Sequence, residues 1–310
     1  MNEFNWKIYV NNYEDLRKVG INTKQKAWAH WEMHGKSEGR SYTNIQNHLS
    51  NHIKPVIFCI GKLEHDYIEE FVRYHIALGF DWIYIYDNED QPTYEKLLEK
   101  YSNNIKVIHF NGSCMQYPAL QHFVKNFMYN DNITHVANID VDEFIVLKSH
   151  ANIKEFISQY IVGDCAGIGM NWRFFGSNNL TEKTNEPQTI RFTMCQTNGD
   201  IHIKTLFDIK YFQNYNTMHD ITTKKDYYIK STGGKIIDGP FNNNIDLSVI
   251  QLNHYKCKTL PEFQYIRTRG QSDFIPLEKE DIDANFNAYN INEVEDLVAC
   301  NFYKNVLYQS

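Results

Sequence analysis

The sequence has no excess of positive charge. Its 310 residues include 31 lysines and arginines against 38 aspartates and glutamates, which gives a formal net charge of -7. Proteins that bind nucleic acids along the phosphate backbone present a basic surface. The composition therefore argues against DNA or RNA as a partner. A single nucleotide is not excluded, because it needs only a local cation.

Cysteine motifs, targeting signals and long apolar runs are also missing. The six cysteines are far apart and form no CxxC pair, so neither a zinc site nor a disulfide framework is indicated, and a reducing compartment is the simplest interpretation. The amino terminus, MNEFNWKIYV, lacks the basic and then apolar layout of a signal peptide. No apolar run approaches the roughly 20 residues of a membrane span. We therefore expect a soluble cytoplasmic protein without a membrane span.

The sequence indicates a large α/β domain preceded by a small helical module. Hydrophobic residues make up 42% of the chain and aromatic residues 15%, which is enough for a sizeable core. In residues 1–48 apolar side chains recur at helical spacing, Gly20 is a natural helix stop, and Thr23 can cap a second helix. The polar residues 44–54 are typical of a linker, and residues 55–310 form the predicted large domain.

From residue 55 onward, strand-like and helix-like segments alternate. The pattern predicts strands at 55–61, 82–86, 105–109 and 134–139, and helices at 64–78, 94–101 and 115–129. Four strands alternating with three helices are typical of a doubly wound, mostly parallel α/β sheet. The second half is less regular. It predicts strands at 165–170, 189–195 and 248–252 and a last helix at 291–307.

The strongest site signal lies in the stretch 134–147, THVANIDVDEFIVL. A short apolar run typical of a buried strand is followed by Asp140 and Asp142. Because side chains alternate along a strand, both carboxylates are expected on one face, with Val141 packed on the other. Such a pair suits Mg²⁺ or Mn²⁺, and ligands of open α/β sheets bind at the carboxyl ends of strands. A pair of solvated loop acids is the alternative.

Further acidic candidates lie at the ends of other predicted strands. Asp87 ends a strand at the same predicted edge as Asp140 and can accept hydrogen bonds from a ribose or a base. Its alternative is a role in the YDNED turn, where aspartate and asparagine are favoured for backbone reasons. Glu64 follows the first strand and has helix capping as its alternative.

Aromatic, histidine and lysine candidates come later in the chain. Trp172 and Phe175, in NWRFFGSN, can form an aromatic wall for the apolar face of a sugar, or can belong to the core. His254, in QLNHYKCK, can give a divalent cation its third protein ligand. Lys204 can neutralise a diphosphate, although surface exposure is the usual state of a lysine.

Five segments in order resemble the glycosyltransferases of family 92 and the related family 2. They are KLEHDYIEEFVRYHIALGFDWIYIYDN at 62–88, QYPA from Gln116, DVDEF from Asp140, WRFFGS from Trp172 and NHYKCK from Asn253. The resemblance covers roughly residues 55–275 and implies a GT-A fold and an inverting transfer from a nucleotide sugar, most often a UDP-sugar, bound through Mn²⁺. The first 48 residues resemble a short module seen beside glycosyltransferases of bacteria and large DNA viruses.

The resemblance implies roles for individual residues. Asp140 and Asp142 are similar to the metal- and ribose-binding acids of the family, Asp87 to its base-binding acid, and His254 to its late metal-binding histidine. Two departures concern the nucleoside contacts. Leu63 stands where the family usually has asparagine, and EDQPT stands where Ser-x-Asp is common.

We therefore predict a metal-dependent hexosyl- or N-acetylhexosaminyltransferase that acts on a hydroxyl of a glycan or glycoprotein. A carboxylate opposite the departing diphosphate would deprotonate that hydroxyl, and Asp220 is the candidate, with Asp208 as the second choice. A nucleotidyltransferase of similar fold is one alternative, although GKLEHDY lacks the expected glycine-rich basic loop. The other is a non-catalytic sugar-binding or scaffold protein, against which the intact acids count.

Overall fold

The chain divides into two compact units, residues 1–53 and 54–310. The structure is a computed structural model that describes residues 4–42, 52–268 and 279–308. Most of the predicted linker at 44–54 lies outside the described residues.

The smaller unit consists of short helices around an aromatic core. Its helices are α1 (Trp6–Asn12), α2 (Glu14–Lys18) and α3 (Lys24–His30), and a π-helical turn (Trp31–Gly35) continues α3. Thr23 caps α3 as predicted, because its side chain accepts a hydrogen bond from the Lys26 N–H. Tyr9, Val10, Leu16 and Ala27 are buried in this core.

The larger unit is a mixed α/β domain built on a curled sheet, which confirms the predicted fold class. Its strands are β1 (Pro55–Gly61), β2 (Trp82–Asp87), β3 (Ile105–His109), β4 (His135–Asn138), β5 (Glu143–Leu147), β6 (Cys165–Phe174), β7 (Met194–Cys195), β8 (Ile203–Asp208), β9 (Phe212–Tyr215), β10 (Ile221–Thr223), β11 (Tyr228–Lys230), β12 (Ile250–His254) and β13 (Val294–Glu295).

Nine strands form the main sheet in the part of the chain that the structure describes. Their order is β3-β2-β1-β4-β8-β6-β12-β5, with β11 beside β6. Strands β1 to β4 are parallel, as the alternating pattern predicts. Strand β8 inserts antiparallel between β4 and β6, and β5 pairs antiparallel with β12. Only residues 139–142 connect β4 to β5, although the two strands are four places apart in the sheet.

Helices cover the sheet and complete the core. They are α4 (Ile68–Ala77), α5 (Tyr94–Leu97), α6 (Gln116–Phe123), α7 (Ile153–Tyr160), α8 (Gln188–Arg191), α9 (Leu260–Arg267), α10 (Lys279–Tyr289) and α11 (Val298–Phe302). Shorter turns follow α5, α6 and α11 at Glu99–Tyr101, Val124–Met128 and Tyr303–Leu307, and another precedes β9 at Ile209–Tyr211. None of the helices within the described ranges combines the length and apolarity that a bilayer crossing requires.

Two predicted elements were wrong, and distant partners explain both. Residues 189–195 form helix α8 and the short strand β7, because the buried carboxylate of Glu70 accepts hydrogen bonds from the Gln188 and Thr189 N–H groups. The predicted last helix starts seven residues late, at Val298. The residues before it pair with β7 as strand β13.

Candidate active site

The carboxyl ends of β4, β6 and β12 meet the start of β8 at one edge of the sheet. Strand β8 runs antiparallel to β4 and β6, so its first residues lie beside their last ones. This edge brings together five of the predicted site residues, Asp140, Asp142, Trp172, Lys204 and His254. It is the edge at which open α/β sheets bind their ligands.

Asp140 and Asp142 lie in the turn between β4 and β5, not on a strand. The Glu143 carboxylate closes this turn by accepting a hydrogen bond from the Asp140 N–H at 2.8 Å. The Asp142 carbonyl accepts the Tyr255 N–H at 2.8 Å, which ties the turn to the end of β12. The argument that strand alternation places both acids on one face was therefore wrong, although Val141 is buried as expected.

Lys204 is a buried cation beside the two acids. Its Nζ lies 3.0 Å from Asp140 Oδ2 and 3.8 Å from Glu143 Oε2. Burial by itself lowers the pKa of Lys204, but the Asp140 and Glu143 carboxylates raise it above its usual value, so the ammonium keeps its charge. Burial also raises the pKa of Glu143 well above its ordinary value. Contact of Lys204 with a donor diphosphate stays a prediction.

Replacing Lys204 by methionine is expected to lower the free energy of unfolding by about 1–3 kcal/mol. The change leaves Asp140 and Glu143 without their counter-charge, and Asp140 is 33% exposed, so the loss falls below the ~3–5 kcal/mol of a fully buried pair. Urea unfolding measures the difference. Lys230→Met is the matched control, because its partner Asp164 is 58% exposed and the expected loss is below about 1 kcal/mol. Equal losses in the two variants would contradict the prediction.

His254 and Asp142 form a close pair at the carboxyl end of β12. The distance from His254 Nε2 to Asp142 Oδ2 is 3.6 Å, and both side chains are largely buried. Burial lowers the pKa of His254 and the Asp142 carboxylate opposes this only in part, so the imidazole is neutral at neutral pH. Neutral imidazole is the form that binds metal ions. His254 Nδ1 is buried and has no hydrogen-bond partner among the described residues.

The donor set fits a divalent cation that a substrate helps to coordinate. Within residues 4–42, 52–268 and 279–308, no three His, Cys, Asp or Glu side chains converge as a preformed metal cage. Mg²⁺ does not need one, because proteins often hold it through one or two carboxylates together with substrate phosphates. Lys204 holds the Asp140 carboxylate at 3.0 Å, whereas the Asp142 carboxylate lies 3.6 Å from His254. Asp142 and His254 are the better candidates for a shared ion.

Trp172 lies among three histidine rings next to this pair. Its ring centroid is 4.5 Å from that of His254 and 5.2 Å from that of His219, and it stacks on His202 at 4.9 Å. The indole is buried, and its Nε1 has no hydrogen-bond partner in the described part of the chain. An unsatisfied buried N–H costs free energy, so this donor is an unusual feature of the edge.

Phe175 is a core residue, which argues against its predicted role in acceptor binding. Its side chain is only 1% exposed and packs on the Tyr255 ring at a centroid distance of 4.9 Å. A sugar has no surface of this ring to contact.

The carboxylates of Asp87 and Asp220 are used by the chain itself. Asp87 is fully buried and accepts three backbone N–H groups, those of Glu89, Thr93 and Tyr94. Asp220 is also buried, and its two carboxylate oxygens accept the Asn216 side-chain amide at 2.8 Å and the Thr217 hydroxyl at 2.5 Å. Both therefore act as turn-forming residues here, which argues against base binding by Asp87 and against proton abstraction by Asp220.

Glu64 lies shortly before helix α4. Helix capping was the alternative to a role in donor binding for this residue. The Glu64 carbonyl accepts the N–H groups of Tyr67 and Ile68, which begins the first turn. Its side chain is buried, and its own N–H donates to the Tyr94 hydroxyl at 3.1 Å. Contact with a donor stays a prediction for this residue.

Two further residues at the acid turn were not singled out from the sequence. Gln116 Nε2 lies 3.4 Å from Asp140 Oδ1. The Glu143 carboxylate accepts the hydrogen bond of the Asp140 N–H within the turn. Gln116 belongs to the QYPA segment and Glu143 to DVDEF, so the ordered segments contained the signal.

Comparison with known proteins identifies the family of this chain. The family model of glycosyltransferase family 92 matches residues 54–287. A family 92 glycosyltransferase of Arabidopsis thaliana is 22% identical over 214 residues, which are 64% of this chain and 34% of that protein. The fold is that of a mixed α/β domain with two acids beside the carboxyl ends of its strands. The chain belongs to glycosyltransferase family 92, and it spans about a third of the length of the Arabidopsis relative.

Proposed function

We propose that this chain is a metal-dependent, inverting glycosyltransferase that moves a hexose or N-acetylhexosamine from a UDP-sugar to a hydroxyl of a glycan or glycoprotein. Family membership supports glycosyl transfer. The observation that carries the metal-dependent part is the pairing of Asp142 and His254, 3.6 Å apart at the ligand-binding edge of the sheet.

Asp142 and His254 would hold Mn²⁺ or Mg²⁺, which would stabilise the negative charge on the departing nucleoside diphosphate. The chain's own residues prepare the rest of this site. Lys204 donates a hydrogen bond to Asp140 Oδ2 and so holds this carboxylate in place. The exposed part of the carboxylate is left for a ribose hydroxyl. The Trp172 indole excludes water beside His254 and offers its Nε1–H as a donor.

Inversion requires one in-line displacement at the anomeric carbon of the donor sugar. A base must therefore take the proton of the acceptor hydroxyl on the side opposite the diphosphate. The carboxylate of Asp220 accepts hydrogen bonds within its own turn, which supports a search for the base among the other side chains at this edge.

Titration of UDP into the purified protein by calorimetry tests the proposed function. We expect binding in the presence of Mn²⁺ and an affinity lower by at least about tenfold, ~1.4 kcal/mol, in EDTA, because Asp142 and His254 would hold an ion that neutralises the charge of the diphosphate. UDP binding would then justify assays of UDP release from UDP-glucose, UDP-galactose and UDP-N-acetylglucosamine.

Two results would count against this proposal. Binding of GDP or CMP without binding of UDP would rule out the uridine donor. Failure of all three nucleotides to bind, with and without Mn²⁺, would favour the non-catalytic alternative.

A further inference from the structure

A histidine and an aspartate form a bonded pair at the start of β8. His202 Nδ1 lies 2.5 Å from Asp200 Oδ1, and the same oxygen accepts the His202 backbone N–H at 2.9 Å. Because a carboxylate only accepts hydrogen bonds, Nδ1 carries the ring hydrogen of the neutral imidazole. Nε2 therefore keeps its lone pair, which is the state that a general base needs.

His202 lies close to the residues of the candidate active site. His202 immediately precedes β8 and is two residues from Lys204, whose ammonium reaches Asp140. The His202 ring stacks on one side of Trp172, and Trp172 contacts His254. One indole ring therefore separates His202 from the Asp142–His254 pair.

His202 is also accessible, unlike Asp220, the first candidate for the general base. The His202 side chain is 40% exposed, whereas Asp220 is buried and bonded within its turn. His219 lies nearby, but its Nδ1 is bonded to the Ile203 carbonyl, and burial lowers its pKa to about 4, which makes it a weak base at neutral pH. Phe241 packs edge-on against His202 at 4.9 Å and restrains the ring.

We propose that His202, oriented by Asp200, is the general base of the transfer. Its Nε2 takes the proton of the acceptor O–H while the acceptor oxygen forms its bond to the anomeric carbon. The bond from that carbon to the diphosphate oxygen breaks, and its electron pair leaves with the diphosphate. The Asp200 carboxylate stabilises the imidazolium. This inference rests on the proposed glycosyl transfer and names the group that performs its proton transfer.

The test compares donor binding with turnover in His202→Gln and Asp200→Asn. Turnover is UDP release from the three UDP-sugars with Mn²⁺, with water as the acceptor. We expect UDP affinity within about twofold of wild type and a loss of turnover of roughly 10²–10⁴-fold in His202→Gln. Asp200→Asn is expected to lose at least about tenfold, because the ring loses its anionic partner. His150→Gln is the matched control, since His150 bonds Gln159 beyond the far end of β5.

Chemical rescue distinguishes a base from a structural histidine. Free imidazole is expected to restore part of the turnover of His202→Gly, because it can enter the space of the missing ring and accept the proton. Wild-type turnover in His202→Gln would overturn the assignment while leaving the proposed function intact. So would loss of UDP binding in that variant, or failure of imidazole to rescue. A wild-type protein that releases no UDP from any of the three donors would overturn the proposed function and this inference with it.

Discussion

Replacing Asp142 by alanine is expected to reduce UDP-sugar turnover by roughly a thousandfold. The substitution removes the carboxylate that lies against His254, and with it the site for an ion that supplies several kcal/mol of charge stabilisation in the transition state. The side chain belongs to a turn whose backbone bonds to Glu143 and Tyr255 do not depend on it. The fold should therefore be retained.

The measurement is UDP release with Mn²⁺, together with the thermal midpoint of unfolding. Asp164→Ala is the matched control, because Asp164 precedes the opposite end of β6 and pairs with Lys230 on the surface. Its turnover should stay near the wild-type value. Wild-type turnover in Asp142→Ala would remove the metal assignment, whereas a large fall in its thermal midpoint would assign Asp142 a structural role.

Replacing Glu262 by alanine is expected to lower the free energy of unfolding by about 3–5 kcal/mol. Glu262 forms a buried two-point ion pair with Arg191, with N–O distances of 2.5 and 2.9 Å, and accepts further hydrogen bonds from Thr259 and Tyr67. The variant leaves the Arg191 guanidinium buried without its counter-charge, which is costly. The double variant Arg191→Met/Glu262→Leu should recover part of the loss, since it removes both charges. Glu95→Ala, at an exposed position of α5, should change stability by less than about 0.5 kcal/mol.

The same residue gives the stability a defined dependence on pH. Burial by itself raises the pKa of Glu262, but hydrogen bonds from Arg191, Thr259 and Tyr67 lower it to about 2, below the ordinary value of 4.5. Because the folded-state pKa is the lower one, this stabilisation is present above the ordinary value and is lost as the pH falls from 4.5 towards 2. The stability difference between wild type and Glu262→Ala should therefore shrink over this range in urea unfolding. A constant difference would show that the charge of Glu262 is not responsible.

The parallel half of the sheet could be predicted because each of its elements carries a local pattern. Strands β1 and β3 have the predicted bounds, and their order follows from right-handed crossovers. Strand β8 was not predicted, since its partners β4 and β6 are distant in sequence. Helix α8 depends on Glu70, which is 118 residues before the Gln188 N–H that it binds. Such partners leave no periodic signal near the element that they determine.

For the candidate site, too, the sequence predicted which residues lie near one another but not which hydrogen bonds they make. The rule that ligands bind at the carboxyl ends of strands predicted one edge for Asp140 and Asp142, and His254 lies at that edge too, because the rule depends only on which residues follow strands. Neither this rule for Asp87 nor the choice of Asp220 as the base could show that nearby N–H and O–H donors already occupy these carboxylates. His202 was overlooked, although the Asp-x-His order at 200–202 was a usable signal.

The short link at 139–142 has a mechanical consequence for catalysis. Four strand spacings of about 4.8 Å would put β4 and β5 about 19 Å apart in a flat sheet. The five chain steps from Asn138 to Glu143 span at most about 18 Å when fully extended, and this link contains a turn. The sheet must therefore curl so that β4 and β5 come close enough for this link to join them, and Asp140 and Asp142 belong to the link. A ligand that displaces the backbone of this link would therefore also displace β5 or change the curvature of the sheet.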